Sequence, residues 1–531
     1  MPKMDPPESG VTVRMYRQGH GDCFLLAMRK TNGKPFYMLI DCGLWSGSAL
    51  PDGPSIDAVI ADIATSTGKK LDVVLVTHEH MDHVNGFGAK DRETGEPCFA
   101  PFDIDQVWLG WTEDGDDDFA NQLRERFNDT LLALMGADAH LDRAGHGIDS
   151  DRRAMLRDLL SFETGDNAAD DLRRRLDIIR REHPHLSLRE QGEMAIAGIT
   201  NKKAIKYLRD KIEGAPVFLR PDRGPYELKG VKDARVYALG PPRNVEQLLS
   251  LQPEGEEEFR LAIDGPTRTI LAATTRDDAA GGERSFDARF GISRQDIAGN
   301  NEPVLREAIK SAYGYGSDET HLEKDAQRLR DFFAAHYGAP ESWRQIPVDW
   351  LAGSESLALR LNNEVNNTSL VIAIELPRSG KVLLFPGDAQ RGNWISWAAR
   401  EWTIGNKTVK ARELLGRTVF YKVGHHGSHN ATLNGTPEDE HANLSWFADG
   451  EYKDQFVAMI PANTPWALHK AQPWKHPLQA IEEALHTKAR GRVFRIDLDT
   501  VEKPSNVNAA EWKKFKREET ELYFEYTVSD D

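Results

Sequence analysis

His78, His80, Asp82 and His83 fall within one short run, His78-Glu79-His80-Met81-Asp82-His83, directly after the apolar stretch Val73-Val74-Leu75-Val76. Imidazole and carboxylate are the donors that borderline divalent ions such as zinc prefer. A strand that runs straight into a loop lets alternate side chains converge on one point. Three imidazoles and a carboxylate in such a place exceed what packing or a polar turn requires. The spacing predicts a metal site.

Two more strand ends carry the same kind of residue. Asp388 closes the run Leu383-Leu384-Phe385-Pro386-Gly387-Asp388. Gly-Asp after a strand is commonly only a turn, but beside a metal loop a carboxylate becomes a natural bridging ligand, because its oxygens can serve two cations. Val423-Gly424-His425-His426-Gly427-Ser428-His429 again places clustered imidazoles after an apolar strand, which points to a role in the same site.

The elements that must position these loops are short strands. Period-two or continuous apolar runs predict strands over 11–16, 23–28, 36–40, 73–76 and 105–109, with a helix over 56–65. From Trp111 the texture becomes charged and helical as far as about Gly214, with Leu172, Leu176 and Ile179 at helical spacing. Strands return at 217–219 and 234–239. A Gly-, Asp- and Arg-rich stretch over about 253–303 reads as loop or partly disordered, followed by helical periodicity near 304–313 and 322–337. Strand texture resumes at 357–361, 370–376, 382–385, 419–423, 456–460, 493–496 and 522–528. Residues 11–110, 215–242 and 356–531 are therefore expected to form one metal-binding β-rich fold, interrupted by insertions at 111–214 and 243–355.

The three loops resemble the metallo-β-lactamase fold superfamily of metal-dependent hydrolases, and most closely its ComEC/Rec2-like branch. The residues that carry the resemblance are, in order, Gly19-His20-Gly21-Asp22, Ile40-Asp41-Cys42-Gly43, Asn366-Asn367-Thr368-Ser369, Gly387-Asp388, Lys422-Val423-Gly424-His425-His426-Gly427-Ser428 and His476-Pro477. The resemblance implies an α/β fold, an αββα sandwich with two large insertions, holding two divalent metal ions, Zn²⁺ or Mn²⁺.

It implies that His78 and His80 bind the first metal, Asp82 and His83 the second, that Asp388 bridges them, and that His426 completes the second site. His425 would donate to a developing oxyanion, Asp82 would also steer the attacking water's proton, and His476 would hold substrate or leaving group. Asp41 and Asn367 would support the ligands from behind. The superfamily commonly supplies one more histidine one strand before Gly-Asp. Here Asn366-Asn367-Thr368-Ser369 stands in that place, leaving His78 and His80 as the weaker half unless His140, His146, His183 or His185 replaces it.

Composition bounds the partners. A formal net charge of −17 over 531 residues gives no global basic field to attract nucleic acid or anionic lipid, although a metal pair supplies local positive charge. Three cysteines make no disulfide framework. The N-terminus has no apolar signal core and no run reaches the roughly 20 apolar residues of a spanning helix, so a soluble, cytoplasmic protein is expected.

The cluster Lys202, Lys203, Lys206, Arg209 and Lys211 could meet phosphates but reads first as the solvated face of a helix. Trp394 and Trp397, at i,i+3 spacing, read as core. The expected activity is metal-dependent hydrolysis, with a nucleic-acid or nucleotide phosphodiester favoured. Carboxylic ester, thioester or lactam substrates are the alternative, and an effector subunit docked to a protein partner through the insertions is an alternative of another class. No membrane partner is expected.

Overall fold

The computed structural model describes residues 3–143, 151–165, 168–254, 257, 327–328, 330–332, 335–336, 354–470 and 474–531. In chain order the strands are β1 (Gly10–Tyr16), β2 (Cys23–Arg29), β3 (Pro35–Cys42), β4 (Lys70–Leu75), β5 (Asp103–Gly110), β6 (Val217–Leu219), β7 (Tyr226–Glu227), β8 (Arg235–Gly240), β9 (Val371–Glu375), β10 (Val382–Phe385), β11 (Glu401–Ile404), β12 (Lys407–Lys410), β13 (Thr418–Lys422), β14 (Val457–Ile460), β15 (Val493–Arg495), β16 (Arg517–Glu519) and β17 (Tyr523–Ser529). Eight of them form a sheet in the order β16-β17-β1-β2-β3-β4-β5-β6. Seven form a second, β15-β14-β13-β10-β9-β8-β7, and β11 with β12 makes a separate hairpin.

Side-chain alternation builds four layers from these two sheets. In β2, Phe24, Leu26 and Met28 face a core shared with Ile372, Leu383 and Phe385 of the other sheet, so this core lies between the sheets. Leu25 and Ala27 of β2 instead join Val59 and Ile63 of the helix Ile56–Thr67 and Leu208 of the helix Thr200–Lys211 on the outer face. In β10, Val382 and Leu384 turn outward to Trp394 and Trp397 of the helix Arg391–Trp397. Because both faces of these strands are covered, they read as continuous apolar runs rather than as an alternation. The result is an αββα sandwich, the metallo-β-lactamase fold with insertions.

By contacts the chain divides into two units. The larger, Met1–Leu131, Arg157–Ile263 and Ala358–Asp531, contains both sheets and all the candidate site residues described below. The smaller is Leu132–Leu156 with Asp264–Leu357. This division differs from the texture boundaries, since residues 157–214 group with the sandwich rather than apart from it. Of the stretch 253–303 only Pro253, Glu254 and Glu257 are described; the helix expected over 304–313, and most of that over 322–337, lie outside the described residues.

One expected strand is a helix. Residues 357–361 lie inside Ser354–Asn366. Leu-Ala-Leu-Arg-Leu imitates a period of two, but the buried positions Ala358, Leu361 and Val365 follow i, i+3, i+7, while Leu359 is exposed. Among the described residues, no helix is long and apolar enough to cross a membrane.

Candidate metal centre

β3 runs parallel to β4, and β10 runs parallel to β13, so the loops that follow these strands leave from matching carboxyl ends. The two sheets are tied together at that rim, where Leu370 N–H donates to the carbonyl of Thr77 at 2.9 Å. Gly387 makes the approach possible: its φ is +56°, and a Cβ there would stand 2.8 Å from Thr77 Cβ. The short helix Met81–Val84 then turns Asp82 and His83 back toward Asp388.

The structure brings Asp82, His83, Asp388 and His426 into one buried group whose donor atoms all lie within 4.8 Å of one another. Asp388 Oδ2 is 3.3 Å from His83 Nε2 and 3.9 Å from His426 Nε2, and Asp82 Oδ2 is 2.8 Å from His426 Nε2. Beside this group, the His78 and His83 rings are 4.2 Å apart, and His78 Nε2 stands 3.0 Å from His80 Nδ1.

Each imidazole is pinned through the nitrogen that faces away. His83 Nδ1 lies 2.8 Å from Asp41 Oδ2, His426 Nδ1 2.9 Å from the carbonyl of Pro461, and His78 Nδ1 3.2 Å from Ser369 Oγ. His80 Nε2 lies 2.9 Å from Glu163 Oε1. Asp41 is itself held, accepting from Thr77 N–H at 2.8 Å and from its hydroxyl at 2.7 Å. This is the outer-contact pattern that fixes tautomer and ring orientation at metal sites.

His83 Nε2 and Asp82 Oδ1 are buried with no hydrogen-bond partner among the described residues. An unmet buried polar atom costs roughly 1–3 kcal/mol, and a divalent ion would meet both at once, so the donor set fits such an ion. The backbone adds to the cost of the arrangement. Asp41, His425 and His426 all take left-handed φ, 54°, 42° and 53°, a region non-glycine residues enter at about 1–3 kcal/mol each.

The charge balance explains how so many ionisable groups are buried together. Burial alone would raise the Asp388 carboxyl, but His83, Lys422 and His426 outweigh it and hold Asp388 well below the usual carboxylate range. Burial would likewise depress His83, yet Asp388, Asp22, Asp82 and Asp41 surround it and push it well up. Four carboxylates thus favour positive charge at His83. Burial, with like-charged imidazole neighbours, drives His78, His20 and His476 well down, so these rings are neutral.

Lys422, Asp22 and Glu163 take parts that the resemblance does not assign. Lys422 Nζ, at the end of β13, is 2.5 Å from Asp22 Oδ2 and donates to the carbonyl of Gly387 at 2.8 Å and to Asp388 Oδ1 at 3.3 Å. His425 N–H donates to the same Oδ1 at 3.1 Å. Asp388 thus has one oxygen fixed by the chain and the other, Oδ2, turned to the imidazoles. From the first insertion it is a carboxylate, Glu163 of the helix Asp151–Thr164, that reaches the His78–His80 side. The rings of His183 and His185 pack on each other, 5.9 Å apart. His146 and the side chain of His140 lie outside the described residues.

Asn366 and Asn367 divide their work. Asn366 Nδ2 is 3.2 Å from His425 Nε2. Asn367 stands further out than the ligand imidazoles: its Oδ1 accepts from the backbone N–H of Gln390 and Asn393, and its Nδ2 donates to the carbonyls of Gln247 and Leu248. It braces the turn after Asp388 rather than a ring.

His425 stays outside the four-residue group. His476 lies against it, ring centroids 5.5 Å apart, and Nδ1 of His476 is 3.4 Å from His20 Nε2. In the basic cluster, Lys202 pairs with Glu79, Lys206 with Asp210 and Arg209 with Glu113, and Lys211 donates to the carbonyl of Ala100. Acid partners therefore neutralise most of that face. Trp394 and Trp397 are fully buried, stacked at 4.5 Å.

Fold and site together define a four-layer α/β sandwich with a buried histidine–aspartate cluster where strands of both sheets end. The chain matches the family model described as the metallo-beta-lactamase superfamily over residues 17–137. That segment holds Asp22, Asp41 and the His78-to-His83 run, and it ends before Asp388. Neither the search of curated proteins nor that of solved structures returned a match.

Glu163 gives this site its first test. Glu163→Ala should weaken binding at the His78–His80 side by about 10- to 100-fold in titrations with Mn²⁺ or Zn²⁺. Glu163→Gln, which keeps an acceptor for His80 Nε2–H, should recover most of it. Unchanged affinity in the folded alanine variant would make Glu163 a packing residue only.

Proposed function

We propose that this chain is a metal-dependent hydrolase that cleaves a phosphodiester. The observation that carries the reading is the buried group Asp82, His83, Asp388 and His426, with His78 and His80 alongside. Two divalent ions, Zn²⁺ or Mn²⁺, when bound, supply a hydroxide at neutral pH and stabilise negative charge on the attacked group.

The residues around the ligands are suited to the rest of the reaction. Burial lowers His425 to about 4, so its ring is neutral. Its Nε2 accepts from the Asn366 amide, which leaves the proton on Nδ1, a buried atom with no partner among the described residues. That N–H is a preformed donor for charge developing on substrate. Asn463 N–H donates to His20 Nδ1 at 3.3 Å, so His20 Nε2 carries a proton toward His476 Nδ1. His476 then holds its own proton on Nε2, where it can serve a substrate oxygen or a leaving group. Asp82, which stands in the group with Oδ2 2.8 Å from His426 Nε2, is placed to steer the attacking water's proton.

Support for a phosphodiester over a carbonyl substrate comes from the resemblance of the Gly19–Asp22, Asn366–Ser369 and Lys422–Ser428 runs to the ComEC/Rec2-like branch. The acid-paired basic cluster on the helix Thr200–Lys211 favours a small diester or a nucleotide over a polymer. A substrate panel decides. Purified protein loaded with Mn²⁺ or Zn²⁺ should hydrolyse bis-p-nitrophenyl phosphate and small diesters faster than single-stranded nucleic acid. Hydrolysis of nitrocefin or thioesters alone would overturn the phosphodiester reading, and faster cleavage of nucleic acid would overturn the small-substrate reading.

A further inference from the structure

Against the metal cluster stands a box of aromatic rings, and it encloses a cation. Lys470 Nζ lies 4.4 Å from the ring centre of Trp466 and 5.0 Å from those of Trp45 and Trp474, within the range at which an ammonium is attracted to an indole face. The rings brace one another: Trp45 and Trp474 meet edge-on at 5.3 Å, Trp466 and Trp474 at 5.6 Å, and Phe162 closes against Trp45 at 3.6 Å. Asp158, four residues before Phe162 on the same helix, accepts from Lys470 Nζ at 3.2 Å. Three indole faces plus a carboxylate make a receptor for an alkylammonium group, and Lys470 is the alkylammonium in it.

The box shares walls with the reacting centre. Phe162 is 5.4 Å from the His80 ring and adjoins Glu163, which holds His80. Trp474 is 5.8 Å from His476, and Trp466 is 5.1 Å from His20, whose ring lies 4.0 Å from His426. A lysine needs no three-tryptophan box merely to pair with a half-exposed aspartate, since surface pairs of that kind contribute little. The shape also argues against a stacking platform for nucleobases. Trp45 and Phe162 are buried, and the indoles converge on a point instead of presenting an open face.

We propose that this box is the substrate's cation subsite: the substrate carries an alkylammonium group that displaces Lys470 and thereby sets the scissile ester over Asp388. The proposal rests on the hydrolase reading and narrows its substrate to zwitterionic esters of the choline or ethanolamine type. Asp158 and Lys470 then form a gate in which the side-chain ammonium holds the box in shape until substrate arrives.

Binding measured on metal-free protein separates this idea from the hydrolase reading, because it needs neither metal nor turnover. Tryptophan fluorescence should report choline and ethanolamine binding to Lys470→Ala, with choline at least about tenfold tighter than its uncharged isostere 3,3-dimethylbutan-1-ol. Wild type should bind more weakly than Lys470→Ala, and Trp466→Ala in the Lys470→Ala background should lose the preference for charge. Lys470→Met, which keeps the apolar stem, covers the case in which the alanine variant does not fold. The relative affinities of choline and ethanolamine identify which headgroup the box takes. Equal binding of the neutral isostere, no binding of either amine, or tighter binding of adenosine than of choline would overturn the proposal and leave Lys470 as a structural clamp.

Discussion

Asp388→Asn should leave the fold intact and lower turnover by at least about 10³-fold, with loss of at least one bound divalent ion per chain. The asymmetry of the carboxylate dictates this. Oδ1 is held by Lys422 and by His425 N–H, both donors, so the amide oxygen of asparagine will take that place. The amide NH₂ must then stand where Oδ2 faces His83 and His426. A donor aimed into a cation position repels the ion, although the side chain has kept its volume. Asp388→Ala removes the ligand without adding a donor, so it should lose metal to a similar or smaller extent. Elemental analysis after reconstitution with Mn²⁺ or Zn²⁺, beside hydrolysis of bis-p-nitrophenyl phosphate, reads both effects. Full metal content and full activity in Asp388→Asn would remove Asp388 from the reacting centre.

The same carboxylate shows what the sequence could and could not disclose. β10 is legible to the residue, because Val382-Leu383-Leu384-Phe385 is apolar on both faces and ends in Pro-Gly-Asp. The His78-to-His83 run and the His425-His426 pair are legible for a related reason: clustered imidazoles after a strand have few structural explanations. Their outer contacts are not. Glu163 is one acid in a long charged helix, and nothing within ten residues distinguishes it from its neighbours. It reaches His80 only because the end of its helix, from Arg157 on, packs with the sandwich, a placement no local period encodes. Asn366 and Asn367 are adjacent in sequence, yet the end of the Ser354–Asn366 helix sends one to His425 and the other to the turn after Asp388. The stretch 357–361 belongs with these. Its leucines alternate, and the burial of Ala358 between them and of Val365 beyond them shows that the period is helical.

Lys422→Met is expected to destabilise the metal-free protein by about 3–5 kcal/mol, the cost of leaving buried charge without its partner. The lysine side chain is 1 % exposed and Asp22 and Asp388 are 2 % exposed, so solvent cannot take over the neutralisation. Methionine nearly preserves volume, which separates the charge effect from a cavity effect. Burial would depress the Lys422 ammonium, yet Asp22 and Asp388 push it up, so it stays charged across the neutral range; at Asp22 burial outweighs Lys422, and its carboxyl remains raised. Two consequences distinguish this from generic damage. Asp22→Asn should offset part of the loss in the double variant, because the uncompensated carboxylate is then gone, and a double-mutant cycle in thermal melts measures that coupling. Saturating Mn²⁺ or Zn²⁺ should also restore part of the stability, since the ions bring positive charge to Asp388 from its other oxygen. A Lys422→Met protein that melts like the wild type without metal would show that the lysine does not balance these carboxylates. A loss that neither Asp22→Asn nor metal reduces would assign Lys422 to packing alone.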